Sequence, residues 1–132
     1  MMEPTQLSDV ALFEGLSSDQ LASCAARFEE VEVLSDHNVA REGDGAYAFF
    51  LVLEGQLVVH VDFTRVATLG PGDFFGEIGL EFDSDRTAHV ASRGRVKLAK
   101  MMAWDYREMI GELPVVHERI AAVAAARSAE QD

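Results

Sequence analysis

The spacing of apolar residues changes twice along the chain, and no other feature restricts the fold as much. Before residue 30 the spacing is helical, because a capping-box sequence from Ser17 to Gln20 is followed by apolar residues at Leu21, Cys24, Ala25 and Phe28. From Val31 the period shortens to that of strands, and after Met101 the helical spacing returns. This order predicts helices, then a β core, then helices again.

The central part of the chain predicts several short antiparallel strands. Turn sequences separate its apolar runs, and the strongest break is Gly70-Pro71-Gly72-Asp73, while Glu54-Gly55 predicts a second turn. The strand candidates include Tyr47 to Leu53, Gln56–Val61, Arg65–Leu69, Thr87–Ala91 and Val96–Met101. Strands at a spacing of roughly 8–12 residues are typical of an antiparallel sandwich or barrel, and not of βαβ units.

Two helices are predicted at the C-terminal end. The first runs from Ala103 to Ile110, and we expect it to pack against the β core through Trp104 and the nearby methionines, Met101, Met102 and Met109. Pro114 stands where a second helix can begin. One face of that helix carries three apolar residues and one cation, namely Val116, Ile120, Val123 and Arg127.

The charge balance excludes several classes of partner. The chain has 132 residues, with 11 Lys or Arg against 23 Asp or Glu, and its formal net charge is −12. Affinity for phosphate backbones rests on clustered basic side chains, so we expect neither nucleic acid nor an anionic membrane surface as a partner. No apolar stretch approaches the ~20 residues that a membrane-spanning helix needs. The single cysteine, Cys24, cannot form an intrachain disulfide, and the sequence predicts a soluble, cytoplasmic, single-domain protein.

The segment from Phe75 to Ala88 carries the clearest ligand chemistry. Gly76 and Gly79 allow the backbone to approach a ligand closely and to expose N–H groups. Arg86 offers a planar fork suited to phosphate oxygens, whereas Glu77 can accept hydrogen bonds from sugar hydroxyls. A cation beside such an acceptor suits a ligand that has both a hydroxylated ring and a phosphate.

This segment resembles a known ligand-binding sequence. Phe75-Gly76-Glu77-Ile78-Gly79-Leu80, followed after a loop by Arg86-Thr87-Ala88, is similar to the phosphate-binding cassette of cyclic-nucleotide-binding domains, which occur in Crp/Fnr regulators and in cyclic-nucleotide-dependent kinases and channels. The resemblance implies an α+β fold, an antiparallel β-roll or jelly roll (double-stranded β-helix) flanked by N-terminal helices and two C-terminal helices. As one domain over residues 1–132, it implies helices over about 1–30, the roll over 31–101 with the cassette at 75–88, and the last helices over 102–130.

The resemblance also implies a role for each candidate site residue. Glu77 would accept a hydrogen bond from the ribose 2′-hydroxyl beside the Gly76 N–H, and Arg86 would pair with the cyclic phosphate, helped by Gly79 and Thr87. The last helix would cover the base, with Arg127 as the candidate for stacking on the purine. The implied function is a regulatory module without enzymatic activity, metal or cofactor. It would bind cAMP in preference to cGMP and signal to a protein partner, or to a second copy, by moving its C-terminal helices.

Two other functions are compatible with the residues. Three acids in the loop before Arg86, Glu81, Asp83 and Asp85, are compatible with a ligand-free domain of the same fold that mediates protein interaction or oligomerisation. The histidines suggest a cupin-like metalloenzyme, but no two of them lie within four residues of each other: His37, His60, His89 and His117. Solution mass and metal content distinguish these alternatives from nucleotide binding.

Overall fold

A computed structural model describes residues 2–34, 38–40, 48–61, 64–76 and 89–131. Two short 3-10 turns come first, Pro4–Gln6 and Ala11–Phe13. Helix α1 (Ser18–Arg27) precedes six strands: β1 (Glu29–Val33), β2 (Asn38–Ala40), β3 (Ala48–Val61), β4 (Thr64–Leu69), β5 (Phe74–Phe75) and β6 (His89–Met102). Helices α2 (Ala103–Glu112) and α3 (Pro114–Gln131) follow.

The predicted start of α1 is confirmed at atomic detail. The Ser17 hydroxyl accepts a hydrogen bond from the Gln20 N–H at 3.1 Å, and the Gln20 side chain accepts one from the Ser17 N–H at 2.9 Å. These reciprocal bonds satisfy two backbone donors that a helix start otherwise leaves open. The helix buries Cys24 and Ala25, and its C-cap residue Phe28 is also buried, as the helical spacing predicted.

The strands form one antiparallel sheet in the order β1-β6-β3-β4, with β2 also paired to β6 and β5 to β3. The sequence predicted a turn at Glu54-Gly55 and two separate strands, Thr87–Ala91 and Val96–Met101, but β3 and β6 each continue through these points for 14 residues. The register shows why the two strands continue. Glu54 pairs with Lys97 and Gln56 pairs with Arg93, so the single residue Gly55 on β3 lies opposite the three residues 94–96 on β6. A bulge of this kind bends a strand without ending its ladder.

The two faces of the sheet bury two separate groups of side chains. The helical cluster joins the helices and N-terminal turns to one face, and its buried members are Met2, Leu7, Leu12, Phe13, Cys24, Ala25, Phe28, Phe49, Leu51, Phe74, Ala99, Met101, Ala103, Tyr106, Met109, Leu113, Val116 and Ile120. The sheet cluster lies on the other face and contains Ala48, Phe50, Val52, Leu57, Leu69, Phe75, Val90, Val96 and Leu98. Alternation along β3 explains the division, because successive side chains of a strand point to opposite faces.

The architecture is an α+β jelly-roll fold, as the sequence predicted. The helices at both ends of the chain pack on the same face of the antiparallel sheet, through the helical cluster. One packing prediction is wrong. Trp104 remains 61% exposed in the first turn of α2, while Tyr106, two residues later, takes the buried position at 1%. A helix that packs on a core buries every third or fourth residue. The buried residues of α2 are Ala103, Tyr106 and Met109, and Trp104 does not belong to this series.

Candidate functional site

The N-terminal boundary of the candidate cassette lies at β5, next to the middle of the sheet. Phe74 and Phe75 pair with Leu51 and Phe50 of β3 in antiparallel register. The turn before them is fixed by two backbone bonds, in which the Val52 N–H donates to the Asp73 carbonyl at 2.8 Å and the Gly72 N–H donates to the Val52 carbonyl at 2.9 Å. The cassette therefore starts from a strand that is held on a long central neighbour.

Gly76 follows β5 directly and has the backbone conformation that its residue type predicts. Its φ is +92°, in the left-handed region that side chains rarely adopt, and the residue is half-buried. A glycine accepts this conformation without the strain that a side chain would add. Its position agrees with a role in bringing backbone close to a ligand.

The other predicted site residues fall on parts of the chain that the structure leaves undescribed. Glu77, Gly79, Arg86 and Thr87 lie outside the described residues, and so does the acidic loop that contains Glu81, Asp83 and Asp85. Arg127 lies within α3, but its side chain is outside the described part. Their roles therefore stay predictions.

Both ends of the candidate cassette join strands that pair with β3. At the first end β5 pairs with Phe50 and Leu51, and at the second β6 begins at His89, opposite His60. The connection between them thus starts from one neighbour of β3 and ends at another.

The last helix is bound to the N-terminal turn by an arginine that the sequence reasoning missed. One guanidinium nitrogen of Arg119, Nη1, donates to the carbonyls of Leu12 and Glu14 at 2.9 Å each and to that of Ala11 at 3.5 Å. These carbonyls belong to the 3-10 turn Ala11–Phe13 and to the residue that follows it, and the Ala11 carbonyl also accepts from the Glu14 N–H at 3.2 Å. The sequence contained a signal for this contact. Arg119 lies beside Ile120 and one turn after Val116, so it borders the face of the helix that was predicted to be apolar.

A second arginine joins α1 to α2 beside the only cysteine. Arg27 donates to Glu112 at 3.0 Å and lies 3.6 Å from Glu108, and its other amino group donates to Ser23 at 3.0 Å. The hydrogen bond with Glu112 raises the pKa of Arg27 further above its usual value. Burial raises the pKa of the Cys24 thiol to about 11, partly opposed by the charge of Arg27. Cys24 is therefore a protonated, buried thiol at neutral pH, which is not the state of a nucleophile.

The described residues give no support for a metal centre. The sheet register places the backbones of His60 and His89 opposite each other on β3 and β6. Within the described part of the chain, however, no group of three or more His, Cys, Asp or Glu side chains is arranged to hold an ion. Nor is any helix of that part long and apolar enough to span a membrane.

Comparison with known proteins identifies the class. The model of the cyclic nucleotide-binding domain matches residues 30–112, which is more than half of the chain. The match begins within β1, ends at the last residue of α2 and contains the whole candidate cassette. The chain therefore belongs to the cyclic nucleotide-binding domain family.

Two curated relatives come from distant organisms. The Cyclic AMP receptor protein of Thermus thermophilus is 29% identical over 126 residues, which are 92% of this chain and 58% of that protein. A cGMP-dependent protein kinase of Toxoplasma gondii is 32% identical over 81 residues, which are 61% of this chain and 8% of the kinase. The chain thus spans less than two thirds of the length of either relative.

Two solved structures share the fold at low sequence identity. The regulatory domain of Toxoplasma gondii PKA, crystallised with cAMP, has a TM-score of 0.85 at 22% identity and matches 93% of this chain and 48% of its own. The regulatory subunit of a cAMP-independent protein kinase A from Trypanosoma brucei has a TM-score of 0.84 at 19% identity, over 92% of this chain and 44% of its own. At these identities the likeness establishes the fold.

Proposed function

We propose that this domain binds a 3′,5′-cyclic nucleotide, cAMP in preference to cGMP, through the segment 75–88, and that it acts in the cytoplasm as a regulatory module without catalytic activity. The observation that carries the proposal is the family match over residues 30–112, which contains every cassette residue. The name of the Thermus relative and the cAMP-bound Toxoplasma domain favour cAMP. The position of Gly76 at the end of β5, with φ of +92°, supports a cassette that begins here.

Each proposed contact follows from the chemistry of the residue. Arg86 pairs with the cyclic phosphate, because its guanidinium can donate two parallel hydrogen bonds to an anion. Glu77 accepts from the ribose 2′-hydroxyl, which a carboxylate can do and a phosphate-binding cation cannot. The Gly76 N–H lies near the ribose beside Glu77, and the N–H groups of Gly79 and Thr87 add donors around the phosphate. Arg127 stacks on the purine from the last helix.

Signalling is proposed to run through the helices. The helices and the cassette meet the same central strand, β3, whose Phe49 lies in the helical cluster. A bound nucleotide shifts the position of the helices only by its different affinity for two arrangements. The response is then read by a protein partner or by a second copy of the chain.

Calorimetric titration with cAMP and with cGMP tests the proposal. The wild type should release or absorb heat with a single site and bind cAMP more tightly. Arg86→Leu should weaken binding on the order of 10- to 150-fold, because a charge-assisted bond is worth about 1.5–3 kcal/mol. Arg93→Leu removes the same charge from an exposed position of β6 and should leave the affinity unchanged. No heat from folded wild-type protein with either nucleotide contradicts the proposal.

The same fold without a ligand is the second candidate function. The observation that favours it is the likeness to the regulatory subunit of a cAMP-independent kinase, together with the acids Glu81, Asp83 and Asp85 close to Arg86 in sequence. Such a domain would act by protein interaction or self-association. Light scattering with and without cAMP distinguishes the two, since this candidate predicts a mass that depends on protein concentration and not on nucleotide.

A further inference from the structure

The two phenylalanines of β5 contact different cores directly before Gly76. The ring of Phe74 lies 5.5 Å from that of Phe49 in the helical cluster. The ring of Phe75 stacks on Phe50 in the sheet cluster, with the centroids 4.8 Å apart and the planes inclined by 12°. Phe74, directly before the cassette, and Phe75, its first residue, therefore have different surroundings.

From Phe49 the ring contacts continue to two helices. Its centroid lies 5.2 Å from that of Tyr106 in α2 and 6.4 Å from that of Phe28 at the end of α1. Phe28 in turn meets Phe13 of the N-terminal turn at 6.2 Å, edge to face. All these separations are in the range of about 4.5–7 Å in which aromatic rings attract each other.

These rings are packed tightly enough to pass on a displacement. Phe49, Phe28 and Tyr106 are each at most 1% exposed. Protein interiors have the density of organic crystals, so a ring that moves must displace its neighbours or leave a void. A displacement of Phe74 therefore reaches Phe49 and then α2 and α1. A displacement of Phe75 reaches Phe50 and the other strand residues of the sheet cluster.

We propose that Phe74 transmits nucleotide binding from the cassette to α1 and α2 through Phe49 and Tyr106. Phe75 instead holds the first cassette residues on the sheet. This inference rests on the proposed function, because it needs a nucleotide at the segment 75–88. It assigns to Phe74 a role in transmission, because its ring packs against Phe49 in the helical cluster.

Trp104 supplies the readout. It is the only tryptophan of the chain, and it lies in α2 two residues before Tyr106 and 61% exposed. Its emission should change when cAMP binds to the full chain, with the affinity measured separately by calorimetry. Phe74→Leu and Phe75→Leu form a matched pair, because they make the same substitution at adjacent positions with opposite orientation.

The pair should separate transmission from binding. Phe74→Leu should keep its Kd for cAMP within about fivefold of the wild type, the lower limit of a typical coupling, but give a smaller emission change at saturation. Phe75→Leu should show the full emission change at saturation with a higher Kd. A full emission change in Phe74→Leu, or an equal loss in both variants, overturns the inference. Wild-type protein that binds no nucleotide overturns the proposed function itself.

If circular dichroism shows that Phe74→Leu is unfolded, hydrogen exchange of the wild type tests the transmission instead. Amides of α1 and α2 in the wild type should exchange at a different rate when cAMP is bound, while β4, which packs in the sheet cluster through Leu69, serves as the internal reference. A cAMP-dependent change confined to the strands overturns the inference and leaves nucleotide binding standing.

Discussion

The two faces of the sheet are stabilised in different ways. The sheet cluster is built from strand residues only, so its members are also held by the backbone ladder. The helical cluster brings together segments from Met2 to Ile120. Side-chain packing holds its helices to the sheet, and arginine bonds join the helices and the N-terminal turn to one another. Regions held by fewer cooperative backbone bonds open at lower free energy. The proposed regulatory movement is therefore expected on the helical face.

Removing the central ring of the helical cluster should have the largest effect. Phe49 is fully buried and contacts the rings of Phe28, Phe74 and Tyr106. Phe49→Ala should lower the free energy of unfolding by about 3–5 kcal/mol, from lost burial and a remaining cavity. Urea denaturation measures it. A loss below about 2 kcal/mol would show that the helices pack without this ring.

A side chain at Gly55, on the sheet side, should have the second-largest effect on stability. Gly55 has a φ of +89°, and a Cβ there would lie 2.5 Å from the Arg95 carbonyl oxygen and 3.0 Å from the Val96 side chain. Gly55→Ala should therefore cost about 2–4 kcal/mol, from backbone strain and overpacking. Gly72→Ala is the matched control, with φ of +92° and no atom within 4 Å, and should cost about 1–2 kcal/mol. Equal losses in the two variants would contradict the bulge geometry.

The arginine at the end of the N-terminal turn should have a smaller effect. Arg119→Ala removes the donor to the Leu12 and Glu14 carbonyls and should cost about 1.5–3 kcal/mol, the usual worth of a hydrogen bond from a charged group. Arg107→Ala, at an exposed position of α2, should change stability by less than about 0.5 kcal/mol. Thermal unfolding compares the two, and equal shifts would remove the special role of Arg119.

The sequence predicted the helical face better than the bends of the sheet. The capping box at Ser17 and the buried stripe of Cys24, Ala25 and Phe28 follow from local spacing, and both are confirmed. The continuity of β3 through Gly55 depends on a bulge in its partner β6, which no local pattern encodes. The packing prediction for Trp104 was wrong for a related reason, because hydrophobicity alone does not determine which residue of a helix faces the core. Of the candidate site, the structure places Gly76.

The last expected effect is confined to alkaline pH and is a pH dependence of stability on the helical face. Cys24 has a pKa of about 11 in the fold, above its ordinary value of 9.0, so the folded state holds this proton more tightly than the unfolded state. Its contribution to stability is fully present below pH 9 and is lost as the pH rises towards 11. Urea midpoints of the wild type should fall over this range more steeply than those of Cys24→Ala. Parallel curves would contradict a raised pKa.

The most direct test of nucleotide binding is the stability of the wild type as a function of cAMP concentration. A ligand that binds only the folded state adds stability as the logarithm of its concentration, about 2.7 kcal/mol at one hundred times the Kd. We expect this logarithmic rise, with the Kd that calorimetry gives and a lower sensitivity to cAMP in Arg86→Leu. Urea unfolding curves that do not move up to millimolar cAMP would contradict it.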